Sequence, residues 1–278
     1  MPIFEAIILG IVQGLTEFLP VSSSGHLLIV PWLFGWDSLD SDSVKKSFDV
    51  ALHLGTLIAV IAYFRRDLGG YVTGGISAVV RRERPVTEEG RIAWLLVLSA
   101  VPAGIVGFAA RGFIVDALGT PLVIALSLIG FGLVLLWADR SIGTRPLEAV
   151  TRRDALAVGT AQILALNPGT SRSGITITAA RRAGFSRDGA ARLSFLMSLP
   201  VTGGAVIYEL AGLATDGIPD GLFVPMVIGV ITSAIAGWIA VWGTIRIVRT
   251  YSFTPFVIYR VGLGVLILAL LATGLRAN

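Results

Sequence analysis

The sequence predicts an all-α polytopic membrane protein with an inverted-topology repeat, each half a broken re-entrant helix pair followed by three transmembrane helices. Three observations lead there. Hydrophobic residues make up 54% of the chain and charged residues only 14%, a balance foreign to soluble domains. Uncharged apolar stretches recur at lengths that suit a hydrocarbon core of about 30 Å. Two polar runs, "QGLTEFLPVSSSGH" (Gln13 to His26) and "NPGTSRSGIT" (Asn167 to Thr176), then interrupt the hydrophobic regions that remain.

The spans follow in order. Phe48 to Phe64 carries Asp49 and His53 near one end. Ile92 to Ala110 and Pro121 to Ala138 are uncharged except at their edges. Ala191 to Leu213 has Arg192 at its start and Glu209 near its finish. Leu222 to Ile245 is likewise uncharged, and Pro255 to Leu275 carries only Arg260. A spanning β-barrel would show short alternating segments instead. The N-terminal "MPIFEAIILGIVQG" lacks the basic start of a removable signal peptide. Zero cysteines exclude disulfides, thiolate metal sites and a cysteine nucleophile. A net charge of +4 does not imply nucleic acid, because basic loops give the same sum in membrane proteins.

Those loops orient the chain. Arg65, Arg66, Arg81, Arg82, Arg84 and Arg91 lie between the first two spans, and Arg140, Arg145, Arg152 and Arg153 follow the third. Arg181, Arg182 and Arg187 precede the fourth, and Arg246 and Arg249 precede the sixth. The loop Ala214 to Gly221 carries only Asp216 and Asp220. Arginine loops inside and the acidic loop outside satisfy the positive-inside rule. Residues 1–47 and 155–190 must then each enter and leave on one side, as two half-helices around a break.

The breaks repeat. At a constant offset of 149, Gly10 aligns with Gly159, Gln13 with Gln162, Ser22 with Ser171, Ser24 with Ser173 and Gly25 with Gly174. "PLVI" at Pro121 matches "PFVI" at Pro255, and "AVI" at Ala59 matches "AVI" at Ala205. One repeat covers about 1–140 and the other about 150–278 within a single membrane domain. Three spans per copy turn the second copy upside down, and such repeats place a site near the midplane.

Irregular backbone at membrane depth must line protein or water. Each polar run is followed by a helical run, whose free N–H groups form the positive dipole end. Two such starts facing each other make an anion site. Serines add donors, and Arg172 adds a planar cation suited to phosphate. Serines also cap helices, but capping does not explain an arginine at membrane depth. Gln13 and Glu17, four apart, share a helical face, and His26 follows. Glu17 could bind a divalent metal or act as a base, a serine could attack or hold phosphorus, and His26 could move a proton. The structural alternative is that Glu17 and His26 simply pair.

At these residues the chain resembles the bacterial undecaprenyl-diphosphate phosphatases of the bacitracin-resistance type. "QGLTEF" supplies the Gln/Glu-xxx-Glu motif and "PGTSRSGIT" the PGxSRSxxT motif. The resemblance runs along the whole chain. It implies hydrolysis of undecaprenyl diphosphate to the monophosphate carrier, in the bacterial cytoplasmic (inner) membrane, from a site opening to the outer side. It implies Glu17, Ser23, His26 and Arg172 as catalytic residues. Gln13, Ser22, Ser24, Gly169, Ser171, Ser173 and Thr176 are the expected substrate-binding set. A divalent cation, Mg2+ or Ca2+, is expected at Glu17. Gln13 is the uncharged variant of its motif and a weaker metal ligand than a carboxylate. The implied partners are the lipid substrate and membrane lipid, with bacitracin competing for the substrate and no nucleic acid. A homodimer is a further expectation.

The rival reading is a lipid-phosphate flippase or transporter, since inverted repeats are transporter architecture. Three polar residues are set aside. His53 reads as an interfacial group, Arg260 as a residue that snorkels to the cytoplasmic face, and Glu209 as a headgroup contact. Trp32, Trp36, Trp137, Trp238 and Trp242 suit interface belts.

Overall fold

Six helices are long and apolar enough to cross a bilayer in the computed structural model, which describes residues 1–39, 41–80, 87–109 and 118–275. In chain order the described helices are α1 (Ile3–Phe18), α2 (Ser23–Phe34), α3 (Asp42–Tyr63), α4 (Arg65–Val80) and α5 (Glu88–Ala109). They continue with α6 (Pro121–Asp139), α7 (Arg152–Ala161), α8 (Arg172–Arg182), α9 (Arg187–Asp216), α10 (Phe223–Val248) and α11 (Thr254–Ala272). The candidate spans are α3, α5, α6, α9, α10 and α11.

Each predicted span lies on one of these helices. Three start several residues earlier than expected, because polar residues extend them: α3 begins at Asp42, α5 at Glu88 and α9 at Arg187. The linker after the first span is not wholly a loop, since Arg65–Val80 forms α4, packed on α5. Arg81, Arg82 and Arg84 lie outside the described residues.

The two interrupted regions fold as helix, break, helix. In the first, α1 ends at Phe18 and α2 starts at Ser23. In the second, α7 passes into a 3-10 turn over Gln162–Leu166, and α8 starts at Arg172. α1 packs along α10, and α7 packs along α5. Small residues permit both contacts, as expected where lipid offers helices no hydrophobic drive to associate. A Cβ on Gly10 would lie 1.8 Å from Thr232 Oγ1, and one on Gly159 would lie 2.3 Å from the Ser99 carbonyl oxygen. α6 and α11 pack together, each with proline in its first turn, where the missing N–H costs nothing.

Apolar side chains on the outer surface face the position of lipid, among them Ile105, Ile207 and Ile258. Phe18, Phe64, Phe195 and Phe253 fill the interior, with Phe18 and Phe195 edge to face at 5.4 Å. Away from the spans, Thr151 caps α7 in a capping box with Asp154, and Arg145 pairs with Asp154 at 2.6 Å. Burial raises the Asp154 pKa, but the hydrogen bonds from Arg145 and Thr151 outweigh it and hold the carboxyl below its usual value.

Candidate active site

Both breaks turn on a serine in an unusual backbone conformation. Ser22 has φ 76° and Ser171 has φ 75°, the two positive-φ residues other than glycine among the described residues. Such conformations cost about 1–3 kcal/mol and persist where surrounding contacts fix them. Ser22 Oγ accepts the Gly25 N–H at 3.3 Å, and Ser171 Oγ accepts the Gly174 N–H at 3.1 Å. Each serine thereby caps the helix that follows it.

The breaks are also tied to each other. The Gly169 N–H donates to Ser22 Oγ at 3.1 Å, and Ser173 Oγ donates to the Leu19 carbonyl at 3.0 Å. A third tie corrects the sequence reading. Arg260 does not snorkel outward; it is fully buried. Its guanidinium donates to the carbonyls of Pro20 in the first break and of Gly169 and Thr170 in the second, at 2.9–3.1 Å. Its remaining contacts go to the Leu128 and Ser127 carbonyls of α6. An inward arginine was not legible from sequence, because position along a span does not say which way a side chain turns.

The joined breaks form the floor of a cavity of about 600 Å³. Glu17, Ser22, Ser23, Ser24, Ser171 and Arg172 line it, so both helix starts open on one space. Glu17 is the hub. Its Oε2 accepts from Ser23 Oγ at 2.5 Å and from Gln13 Nε2 at 3.2 Å, while Oε1 accepts from Arg172 Nη2 at 2.7 Å. Arg172 Nη1 donates to the Ser194 carbonyl at 3.0 Å, which fixes the plane of the guanidinium.

The other expected site residues do not line the cavity. Gln13 is buried behind Glu17. Gly169 has φ 91°, and a Cβ there would lie 2.7 Å from the Ile124 carbonyl oxygen, so glycine serves close packing. Thr176 Oγ1 donates to the Arg172 carbonyl at 2.8 Å and meets Ser194 Oγ at 2.7 Å. His26 is buried too. Its Nδ1 lies 2.6 Å from the Ser22 carbonyl and its Nε2 lies 2.8 Å from the Tyr259 hydroxyl. Since a carbonyl only accepts, Nδ1 carries the hydrogen and the Tyr259 hydroxyl donates its hydrogen bond to Nε2. Glu17 and His26 do not pair; Glu17 bonds Arg172 instead.

Two residues that the sequence reading set aside belong to the cavity. His53 lines it, with Nδ1 2.7 Å from the Asp49 carbonyl, which leaves Nε2 as the proton acceptor. Glu209 also lines it and pairs with Lys46 at 2.9 Å. The signal was present in sequence: from Asp42, the pair Lys45 and Lys46, then Asp49 and His53, follow at steps of three or four residues, one polar stripe on α3.

Few donors here could hold a hard cation. Mg2+ takes one or two carboxylates and completes its shell with waters and substrate phosphates. Glu17 is a carboxylate on the cavity wall, and the neighbouring Gln13 Oε1 is buried without a hydrogen-bond partner. Among the described residues no three His, Asp or Glu gather as an all-protein cage.

The comparisons with known proteins point to one family. An undecaprenyl-diphosphatase 2 from Stutzerimonas stutzeri is 44% identical, aligned over 97% of this chain and 98% of the relative. An undecaprenyl-diphosphatase from Geobacter sulfurreducens is 46% identical over 98% of this chain and 99% of the relative. Another from Desulforudis audaxviator is 46% identical over 96% and 98%. The family model described as bacitracin resistance protein BacA matches residues 6–266. The chain belongs to the bacitracin resistance protein BacA family.

Proposed function

We propose that this protein hydrolyses undecaprenyl diphosphate to undecaprenyl phosphate and inorganic phosphate at the serine-lined cavity. The observation that carries the reading is the Ser23–Glu17–Arg172 chain on a wall where two helix starts meet. The relatives' names supply the substrate. They favour hydrolysis over the flippase reading.

The terminal phosphoryl group fits against the two helix starts, with Arg172 and the serine hydroxyls donating to its oxygens. Phosphate competes with Glu17 for Arg172. Glu17, released from that ion pair, accepts the Ser23 proton as Ser23 Oγ attacks phosphorus and undecaprenyl phosphate leaves. Water then hydrolyses the phosphoserine, releasing inorganic phosphate and returning the proton to Ser23. His26 holds the first break through the Ser22 carbonyl and so acts by positioning. Glu17, with Gln13 nearby, would hold a divalent cation, which when bound supplies electrostatic stabilisation of phosphate charge.

The chain's repeat is read the same way. Aligned residues carry matching duties: Ser22 and Ser171 as positive-φ caps, and Gly10 and Gly159 as close contacts. The arginine distribution supports inversion, with the cavity opening to the outer face of the cytoplasmic membrane. Recycling of the lipid carrier for cell-wall glycans, and bacitracin resistance by competition for the substrate, follow from the activity.

The test is phosphate release from undecaprenyl diphosphate by purified protein in detergent, with Ser23→Ala alongside. Release by the native chain, with loss in Ser23→Ala at unchanged melting temperature, supports the serine route. Full activity in Ser23→Ala moves the attack to water. No release by the native chain returns the transporter reading.

A further inference from the structure

A second cavity, of about 470 Å³, lies at the other end of α9. Arg187 and Asp188, at the start of α9, line it, whereas Glu209 lines the serine cavity. Glu209 lies twenty-one residues beyond Asp188 on the same helix, a rise of about 30 Å, the thickness of a hydrocarbon core. The two cavities therefore sit toward opposite membrane surfaces.

The second cavity has more cation than its carboxylates use. Arg140, Arg181, Arg187 and Arg249 line it against Asp139 and Asp188. Arg181 is committed to the fold: it donates to the Phe185 carbonyl at 2.6 Å and to the carbonyls of Asp139 and Ser141. Both Asp139 oxygens are engaged: Oδ1 takes Arg187 Nε at 2.7 Å, with Arg181 Nε 3.5 Å away, and Oδ2 takes the Phe253 N–H at 3.0 Å. Asp188 takes Arg192 Nε at 2.9 Å and Arg249 Nε at 2.8 Å. Arg249 thus meets its carboxylate through Nε, and its two terminal nitrogens have no acceptor among the described residues. Arg140 pairs with no carboxylate among them.

The rim has the chemistry of a membrane surface. Arg182 stacks over Trp137 at 4.3 Å, and Trp137 is itself exposed. Ile142, on the cavity wall, is 98% exposed, and Tyr251 beside Arg249 is also exposed. Aromatic and apolar side chains beside arginines are the pattern of the bilayer–water interface.

We propose that this cavity is an anion site for a phosphate group carried at the membrane surface opposite the serine cavity, held by the free faces of Arg140 and Arg249. Guanidinium forks match phosphate oxygens, and the cavity admits a headgroup phosphate. An anionic lipid of that leaflet and free inorganic phosphate share this chemistry. The proposal does not depend on the reaction at the serine cavity.

The test uses the full-length protein in detergent. Its melting temperature is followed while adding phosphatidic acid, phosphatidylcholine or inorganic phosphate. The double variant Arg140→Ala/Arg249→Ala is the comparison; it keeps Asp139 with Arg187 and Asp188 with Arg192. Phosphatidic acid is expected to stabilise the native chain, phosphatidylcholine not to, and the variant to need about tenfold more phosphatidic acid for the same shift. Phosphate release is expected to be the same in both. A shift from inorganic phosphate alone, lost in the variant, supports the anion site and names free phosphate as its ligand. An equal response from variant and native chain, or no response to either anion, overturns the proposal. Should the alanine variant fail to fold, Arg140→Gln/Arg249→Gln keeps the side-chain bulk and is read in the same way.

Discussion

Arg172 and Arg260 carry the same guanidinium but meet different acceptors, and their substitutions separate accordingly. Arg172 bonds one carboxylate and one carbonyl on the cavity wall. Arg172→Lys keeps the charge and loses the planar fork, so kcat/KM for phosphate release should fall about 10²-fold with melting temperature nearly unchanged. A loss within about threefold would remove Arg172 from phosphate binding. Arg260 serves buried carbonyls in both breaks and α6. Arg260→Met leaves them unsatisfied at about 1–3 kcal/mol each, so melting temperature and activity should drop together. The two histidines divide in the same manner. His53 offers a hydrogen-bonding nitrogen on the cavity wall, so His53→Ala should lower turnover about tenfold at constant melting temperature, with His53→Gln recovering part of it. His26→Ala should lower stability and turnover in step, because its ring nitrogens hold Ser22 and Tyr259. Turnover and thermal melts on the same preparations decide both cases; a stable, slow His26→Ala would reverse the assignment.

The helices make their own predictions at the contacts that bring the breaks together. Gly159→Ala forces a Cβ into the Ser99 carbonyl on α5 and should destabilise by about 1–3 kcal/mol. Gly130, within α6, has open space around its Cβ position, and Gly130→Ala should be neutral or stabilising by up to about 1 kcal/mol. Equal effects in chemical or thermal denaturation would remove the close contact as the reason for glycine at 159. The start of α7 adds a pH dependence. Asp154 has its folded pKa below its unfolded value, held there by Arg145 and Thr151 against the opposing effect of burial. Its contribution is therefore full above the ordinary aspartate pKa of about 4 and fades as pH falls through the folded value. Native protein should melt above Asp154→Asn at neutral pH, and the gap should close in acid. A gap independent of pH would make the contribution steric.

For the whole molecule, the prediction is sidedness. The chain has no cysteine, so single cysteines report topology cleanly. Ile218→Cys, in the loop between α9 and α10, should react with an impermeant thiol reagent from outside intact cells. Ile142→Cys, between α6 and α7, should react only after permeabilisation. Reaction of both from one side would break the inverted arrangement and the opposite placement of the two cavities.

Composition and periodicity alone determined the class, the six spans and the location of both breaks, because lipid penalises every unpaired polar group and leaves few ways to thread such a chain. The polar runs stood out for the same reason, and the structure sets Ser22, Ser23, Ser24, Ser171 and Arg172 from both runs on one cavity. The stripe from Asp42 to His53 was readable in principle, since helical spacing puts those residues on one face, but spacing does not say which neighbour that face meets. Only the tertiary structure decided that. It turned Arg260 inward, placed His53 and Glu209 on the cavity, and moved His26 behind it against Tyr259. Arg260 and Pro20 are 240 residues apart in the chain, as are His26 and Tyr259 by 233. Partnerships of that range depend on how whole helices pack, which no local pattern encodes.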